Sequence, residues 1–473
     1  MHDLTTGPVG GHLRRQTSAF SLGLVAIFSF EAVNMFWIAW LGDAPLAAIS
    51  FTLPVIWFIY GIAMGFEIGA ASVISRAVGR GDEPFARRLT TDSALLSTLV
   101  LGVMAVVGLY TIDPVFRLLG ATPELMPMIR DYMSVWYWVA PSDACLWATL
   151  AALRARGNAP LEAKLMSVAA VLNVILDPLF IFGLLGFPRL GVGGAALATL
   201  IANLSVLVIT LFYVTRRLHI FASLLVSLRV RIGSWKHMLV IGIPATGTNL
   251  IIPLSSGIVV AMLAGYGVDA VAGYGVAARM EPFALLVFYS LSAVSSPFFG
   301  QNFGAGKLDR LIEARRLITR FCLLYGLVLM LAMDLFARPL SGLFSETAAI
   351  RDVAVHYFWL VSWGYGAHGI VMTVNASFNG TGRPLPGMLI SSARVMFLFL
   401  PLAFLGRWLF GIEGIFAASS ISNVLLAIVA YLWLGRHIRA HIRANVPAGT
   451  TTLSAVELDP EQLDLTRSTR PTA

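Results

Sequence analysis

Apolar residues fall in long runs broken by short polar stretches. Runs of about 20 residues, the length a helix needs to cross a bilayer, recur near 18–40, 50–73, 91–112, 133–153, 164–186, 191–214, 239–263, 272–298, 317–337, 354–378, 387–405 and 411–434. The pattern predicts an all-α polytopic membrane protein of about twelve spans. An even number puts both chain ends on one side. Lys and Arg gather in alternate breaks, by roughly 22 to 6; Arg76, Arg80, Arg87 and Arg88 form one such group. Positive charge stays on the cytoplasmic side. Both termini are therefore expected in the cytoplasm, below an inner membrane.

Composition narrows the function. Of 473 residues 58% are hydrophobic and 12% charged, whereas soluble domains carry about 25% charged residues. An ordinary soluble enzyme is excluded. The net charge of +8 is spread over short loops, so nucleic acid is not an expected partner. The bilayer and a small-molecule substrate are, with a monomer as the expected state. Cys145 and Cys322 lie in apolar runs, and the eight histidines show no metal-ligand spacing. No nucleophile and histidine cluster stands out, so neither catalysis nor a cofactor is expected. Arg14 and Arg15 precede a run too long for a signal sequence, which reads as the first span.

The chain also repeats itself. LGDAPLAAIS (41–50) resembles YGVDAVAGYG (266–275), SRAVGRGD (75–82) resembles GQNFGAGK (300–307), and LGVGGAALATL (190–200) resembles FGIEGIFAASS (410–420). The offset is about 220–225 residues, as duplicated halves require. Six spans per half preserve orientation, so the halves should be related by an axis along the membrane normal. The expected organisation is a cytoplasmic segment 1–17, a six-helix lobe 18–214, a basic linker 215–238, a second lobe 239–434 and a disordered polar tail 435–473.

Polar residues inside the spans are the candidates for function. A carboxylate at mid-span costs about 2.5–3.5 kcal/mol on insertion scales and is kept for ion or substrate handling. Asn173 and Asp177 stand one turn apart on one helix face, with Pro178 beside them. Glu67, Asp143, Asn203, Arg279, Glu281 and Arg394 are further candidates for cleft lining or gating. The Gly79-x-Gly81 and Gly304-x-Gly306 pairs read as helix ends. The second is not a phosphate loop: its spacing is one residue too long, and Leu308 stands where Ser or Thr must hold magnesium.

The ordered set of FWIAWLGDAPLAAIS, GAASVISRAVGRGD, LRARGNAPLEAKLMSVAAVLNVILDPLFIFG, GVGGAALAT and FFGQNFGAGKLDR resembles the multidrug and toxic compound extrusion (MATE) transporters over residues 15–435. The fifth span resembles their DinF-like branch. The resemblance implies a V-shaped pair of six-helix lobes that exports organic, often cationic compounds in exchange for protons or sodium ions. It implies a cation site in the first lobe at Asp177 and Asn173, with Thr199 from the sixth span. Where that branch carries an Asp on the first span, this chain has Asn34, which can hydrogen-bond or ligate sodium but cannot titrate. Glu31, one turn earlier, is a candidate substitute. A sodium ion would be held by Asp177, Asn173 and Asn34. In the second half Leu400 and Pro401 stand at the matching place, so only the first lobe is expected to carry the ion.

The expected function is secondary active antiport by alternating access. The alternative is a lipid or polysaccharide-precursor flippase of related architecture, which would favour a strongly cationic cavity.

Overall fold

The structure is a computed structural model that describes residues 3–445. Among these the only regular elements are helices: α1 (Val9–Ala39), α2 (Asp43–Gly79), α3 (Glu83–Leu118), α4 (Met126–Ala155), α5 (Ala159–Phe182) and α6 (Gly191–Tyr213) in the first half. The second half holds α7 (Leu228–Ala264), α8 (Val268–Gly304), α9 (Leu308–Gly342), α10 (Ala348–Val361), α11 (Tyr365–Gly380), α12 (Pro384–Ala393) and α13 (Leu400–Asn445). Nine stretches among the described residues are long and apolar enough to cross a membrane. One of them, Pro384–Ile442, folds back at Gly411 (φ 63°, ψ −133°) and so makes two passes. Helix α4 and the pair α10–α11 complete two six-span lobes. The break in the tenth span is a single tight turn, Ser362–Gly364.

The helices pack through small residues, as helices in lipid do when backbones approach closely. Gly61, Gly65 and Gly69 line one face of α2. A Cβ on Gly65 would lie 2.8 Å from the carbonyl oxygen of Gly242 on α7, and one on Gly69 would lie 2.8 Å from that of Met238. The seam between the lobes is therefore backbone against backbone. In the GVGG run, Gly194 lies against the Phe180 backbone. The run serves helix approach.

Three boundaries differ from the sequence reading. A π-helical turn, Val214–Leu218, extends α6, and α7 starts at Leu228. The linker is thus 219–227, not 215–238; its remaining basic residues sit on helix ends, and Trp235 donates to the Asp92 carbonyl at 3.0 Å. Helix α1 starts at Val9, inside the expected 1–17 segment, and α13 continues to Asn445. The rest of the expected tail, 446–473, lies outside the described residues.

Both described chain ends lie at one end of the bundle, here the basic end. Phe303 at the close of α8 packs against His437 and His441 of α13. Residues 3–7 form a strap from the first lobe onto the second. The Leu4 amide donates to Gln301 Oε1 (3.1 Å), and the Leu4 carbonyl accepts from Asn302 Nδ2 (3.2 Å) and Arg310 (3.0 Å). Arg310 also donates to the Gly7 carbonyl at 2.7 Å, and Lys307 to that of Thr5 at 2.8 Å. Leu4 itself is buried.

Candidate ion and substrate site

Helix α5 starts after Asn158 with Pro160 in its first turn and ends on Gly183, whose φ of 73° is the left-handed cap that glycine supplies. It packs along α1: a Cβ on Gly23 would lie 3.0 Å from the Ala163 Cα. Both helices leave the basic end in the same direction, and at the far end Trp37 meets Phe182 at 6.0 Å between ring centroids. Asn34 is three residues below Trp37 and Asp177 five below Phe182. At a rise of 1.5 Å per residue the two lie within about 3 Å of one level.

At that level the polar atoms lack donors. Asp177 is 0% exposed, and neither carboxylate oxygen has a hydrogen-bond partner among the described residues. Asn173 Nδ2 donates to the Ala169 carbonyl at 3.0 Å, while its Oδ1 has no donor. The Oδ1 of Asn34 is likewise buried without one. Pro178 cannot donate to the Val174 carbonyl, which leaves another acceptor beside Asp177. A buried polar atom without a partner costs about 1–3 kcal/mol, more when charged. A group of acceptors left open together is suited to a bare cation or an added proton. Thr199 is half-buried and donates to the Ala195 carbonyl at 3.1 Å, so its oxygen retains a free lone pair.

A second polar group adjoins the first. Asp143 of α4, 2% exposed, accepts from Asn203 Nδ2 at 2.6 Å and from the Tyr60 hydroxyl at 3.2 Å. Tyr60 is wedged between Trp136 and Trp147, at 5.5 and 5.0 Å. The field of Asp177 reaches the hydroxyl of Tyr132, which also feels Glu31; Tyr60 feels Asp143, Tyr132 and Glu31. Glu31 is exposed. Tyr132 and Tyr60 were not singled out from sequence. Each is one hydroxyl in an aromatic-rich span, and the only signal was that the polar end of a buried tyrosine needs a partner.

Glu67 stands apart from this group. It pairs with Arg154, which also holds Glu162 at 2.5 Å. Arg154 and Glu162 are buried and join α4 and α5 to α2 near the basic end. Glu67 is thus part of a structural ion-pair triad, not of the polar level around Asp177.

The second lobe has its own half-buried charges, Arg394 and Glu281. Arg394 opens a π-helical stretch, Arg394–Phe399, and donates to Asn423 Oδ1 at 3.1 Å, with His368 Nδ1 at 3.4 Å. Glu281 accepts from the Tyr357 hydroxyl at 3.0 Å and lies within the field of Arg394. Arg279 is exposed. The lobes are therefore alike in fold and unlike in polarity.

The family model MatE matches residues 20–179 and 244–405, once in each lobe. The chain belongs to the MatE family. Among curated relatives of this family member, the FAD transporter of Shewanella oneidensis is 34% identical over 446 residues, 94% of this chain and 98% of that one. The multidrug export protein MepA of Staphylococcus aureus is 26% identical over 419 residues, 87% of this chain and 90% of that one. Among solved structures, the Vibrio cholerae MATE transporter VcmN in its bent form superposes with a TM-score of 0.86 at 31% identity, covering 91% of this chain and 97% of that one. An outward-facing MATE family transporter shares the fold with a TM-score of 0.87 at 23% identity. The chain is a MATE transporter of small molecules, not an enzyme.

Proposed function

We propose that this MATE protein is a secondary antiporter of the DinF-like branch, which couples export of a small organic compound to inward movement of a proton or sodium ion through the first lobe. The observation that carries the reading is the set of buried open acceptors on Asp177, on Asn34 near its level and on Asn173 one turn below. A proton on Asp177 would give one of these acceptors a donor; a sodium ion would satisfy them together. Coupling requires that ion and cargo prefer opposite conformations. Here the lobes meet at the basic end, and the excess of Lys and Arg there supports its reading as the cytoplasmic end. A cation entering from the far side would stabilise this arrangement. Its release would let the basic end open and take up new cargo.

For the cargo, similarity to MepA favours amphiphilic drugs, and the higher identity to the FAD transporter favours a flavin nucleotide as a second reading. The half-buried Arg394 in the second lobe gives that reading an anion partner. Everted vesicles loaded by this transporter test both readings. A fluorescent organic cation and FAD are offered separately, with the pH gradient and the sodium gradient collapsed in turn. Uptake of at least one cargo should fall when one gradient is removed. Uptake indifferent to both gradients overturns the antiport reading.

A further inference from the structure

We infer that the basic end of the second lobe carries a binding site for the phosphate of an anionic phospholipid, separate from the transport site. A cleft of about 560 Å³ opens there between the loop ahead of α12 and the last turns of α13. Its lining is Arg383, Trp433, Arg436, His437, Ala440 and His441. Apart from Ala440 the side chains are cationic or aromatic, and no carboxylate among the described residues lines it.

The donors of this cleft are uncommitted. Neither the Arg383 nor the Arg436 guanidinium has a hydrogen-bond or ion-pair partner among the described residues, and both side chains are exposed. His437 is 8% exposed, and its Nε2 has no partner. Its ring is fixed by Phe378 at 5.6 Å, Phe303 at 6.5 Å and His441 at 4.5 Å. His441 Nδ1 bonds the His437 carbonyl at 3.1 Å, which leaves its Nε2 free. Some other arginines of the basic end are engaged: Arg156 holds Glu83 at 2.7 Å, and Arg310 holds the strap.

Two free guanidiniums over an unpartnered imidazole are suited to a phosphate oxyanion, because arginine forks match its geometry. Basic pockets between helices at the membrane surface bind lipid head groups in this way. Trp433 at the rim supplies the amphipathic ring typical of the interface. A soluble phosphate has the same chemistry and is the other source of ligand.

The test uses the purified full chain in detergent and a fluorescent short-chain phosphatidylglycerol, with phosphatidylcholine and inorganic phosphate as competitors. Phosphatidylglycerol should bind and resist phosphatidylcholine. Arg383→Gln with Arg436→Gln should weaken it about thirtyfold, from about fivefold per arginine. Arg216→Gln with Arg217→Gln, which removes equal charge from the first lobe, should leave binding unchanged. His437→Phe keeps the ring stack and loses the nitrogens, and should weaken binding. Displacement by inorganic phosphate at equal affinity supports the site with soluble phosphate as its ligand. Equal binding of phosphatidylcholine to the wild type overturns the proposal, whether or not the variants fold. So does unchanged binding in the double variant, or equal loss in the first-lobe control.

Discussion

Gly79 of the first lobe rests on the backbone of Gln301 in the second, and the repeat returns the contact: Gly304 rests on the backbone of Arg76. The four residues hold matching places in the two halves, so one contact occurs twice about the axis between the lobes. A Cβ on Gly79 would lie 2.7 Å from the Gln301 Cα, closer than real Cβ atoms come. The basic end closes because neither glycine has a side chain there. Gly79→Leu and Gly304→Leu should each hold that end apart. Cysteines placed at the α2 and α8 ends should then react faster with a water-soluble thiol reagent, and transport should fall. Unchanged labelling would show that the seam tolerates a side chain.

The strap adds a second closure. Arg310 reaches the carbonyls of Leu4, Thr6 and Gly7, so Arg310→Ala removes several charge-assisted bonds at once. Hydrogen exchange at the Leu4 amide should speed up, since its bond to Gln301 depends on the same docking. Exchange as slow as in the wild type would mean that the strap is held by burial of Leu4 alone.

The triad around Arg154 predicts a stability effect. Arg154→Met leaves Glu162 and Glu67 facing one another without a cation. Breaking a buried pair in this way costs about 3–5 kcal/mol, read as a lower thermal midpoint in detergent. Glu67→Gln should cost less, because Glu67 is only partly buried. It should also leave ion coupling in place, which separates this acid from Asp177.

Much of this was legible in the sequence. Apolar runs of bilayer length fix the spans, and the matched motifs disclose the duplication. Asp177 stands out because an acid in such a run is costly. Other features rest on contacts between distant residues, which no local pattern reports. The partner of Glu67 is Arg154, 87 positions away. The linker was overdrawn because Arg229, Arg231 and Lys236 suggest a loop, whereas here they lie on the first turns of α7. The tenth span reads as one apolar run, and its break at Ser362–Gly364 left no polar trace.

Glu31 stands one turn before Asn34, and Asn34 cannot carry a proton. If the coupling ion is a proton, Glu31→Gln should lower pH-driven efflux by about fivefold or more, the lower end of usual coupling energies. Sodium-driven efflux should be unaffected. Equal pH-driven efflux in Glu31→Gln and wild type would remove this acid from the coupling path.

The central claim is that the open acceptors around Asp177 hold the coupling ion. The most direct measurement is cargo movement in everted vesicles by Asp177→Asn beside the wild type, under an imposed pH or sodium gradient. The gradient should no longer accelerate transport in Asp177→Asn, although the protein reaches the membrane in normal amount. Gradient-driven transport at the wild-type rate would contradict it.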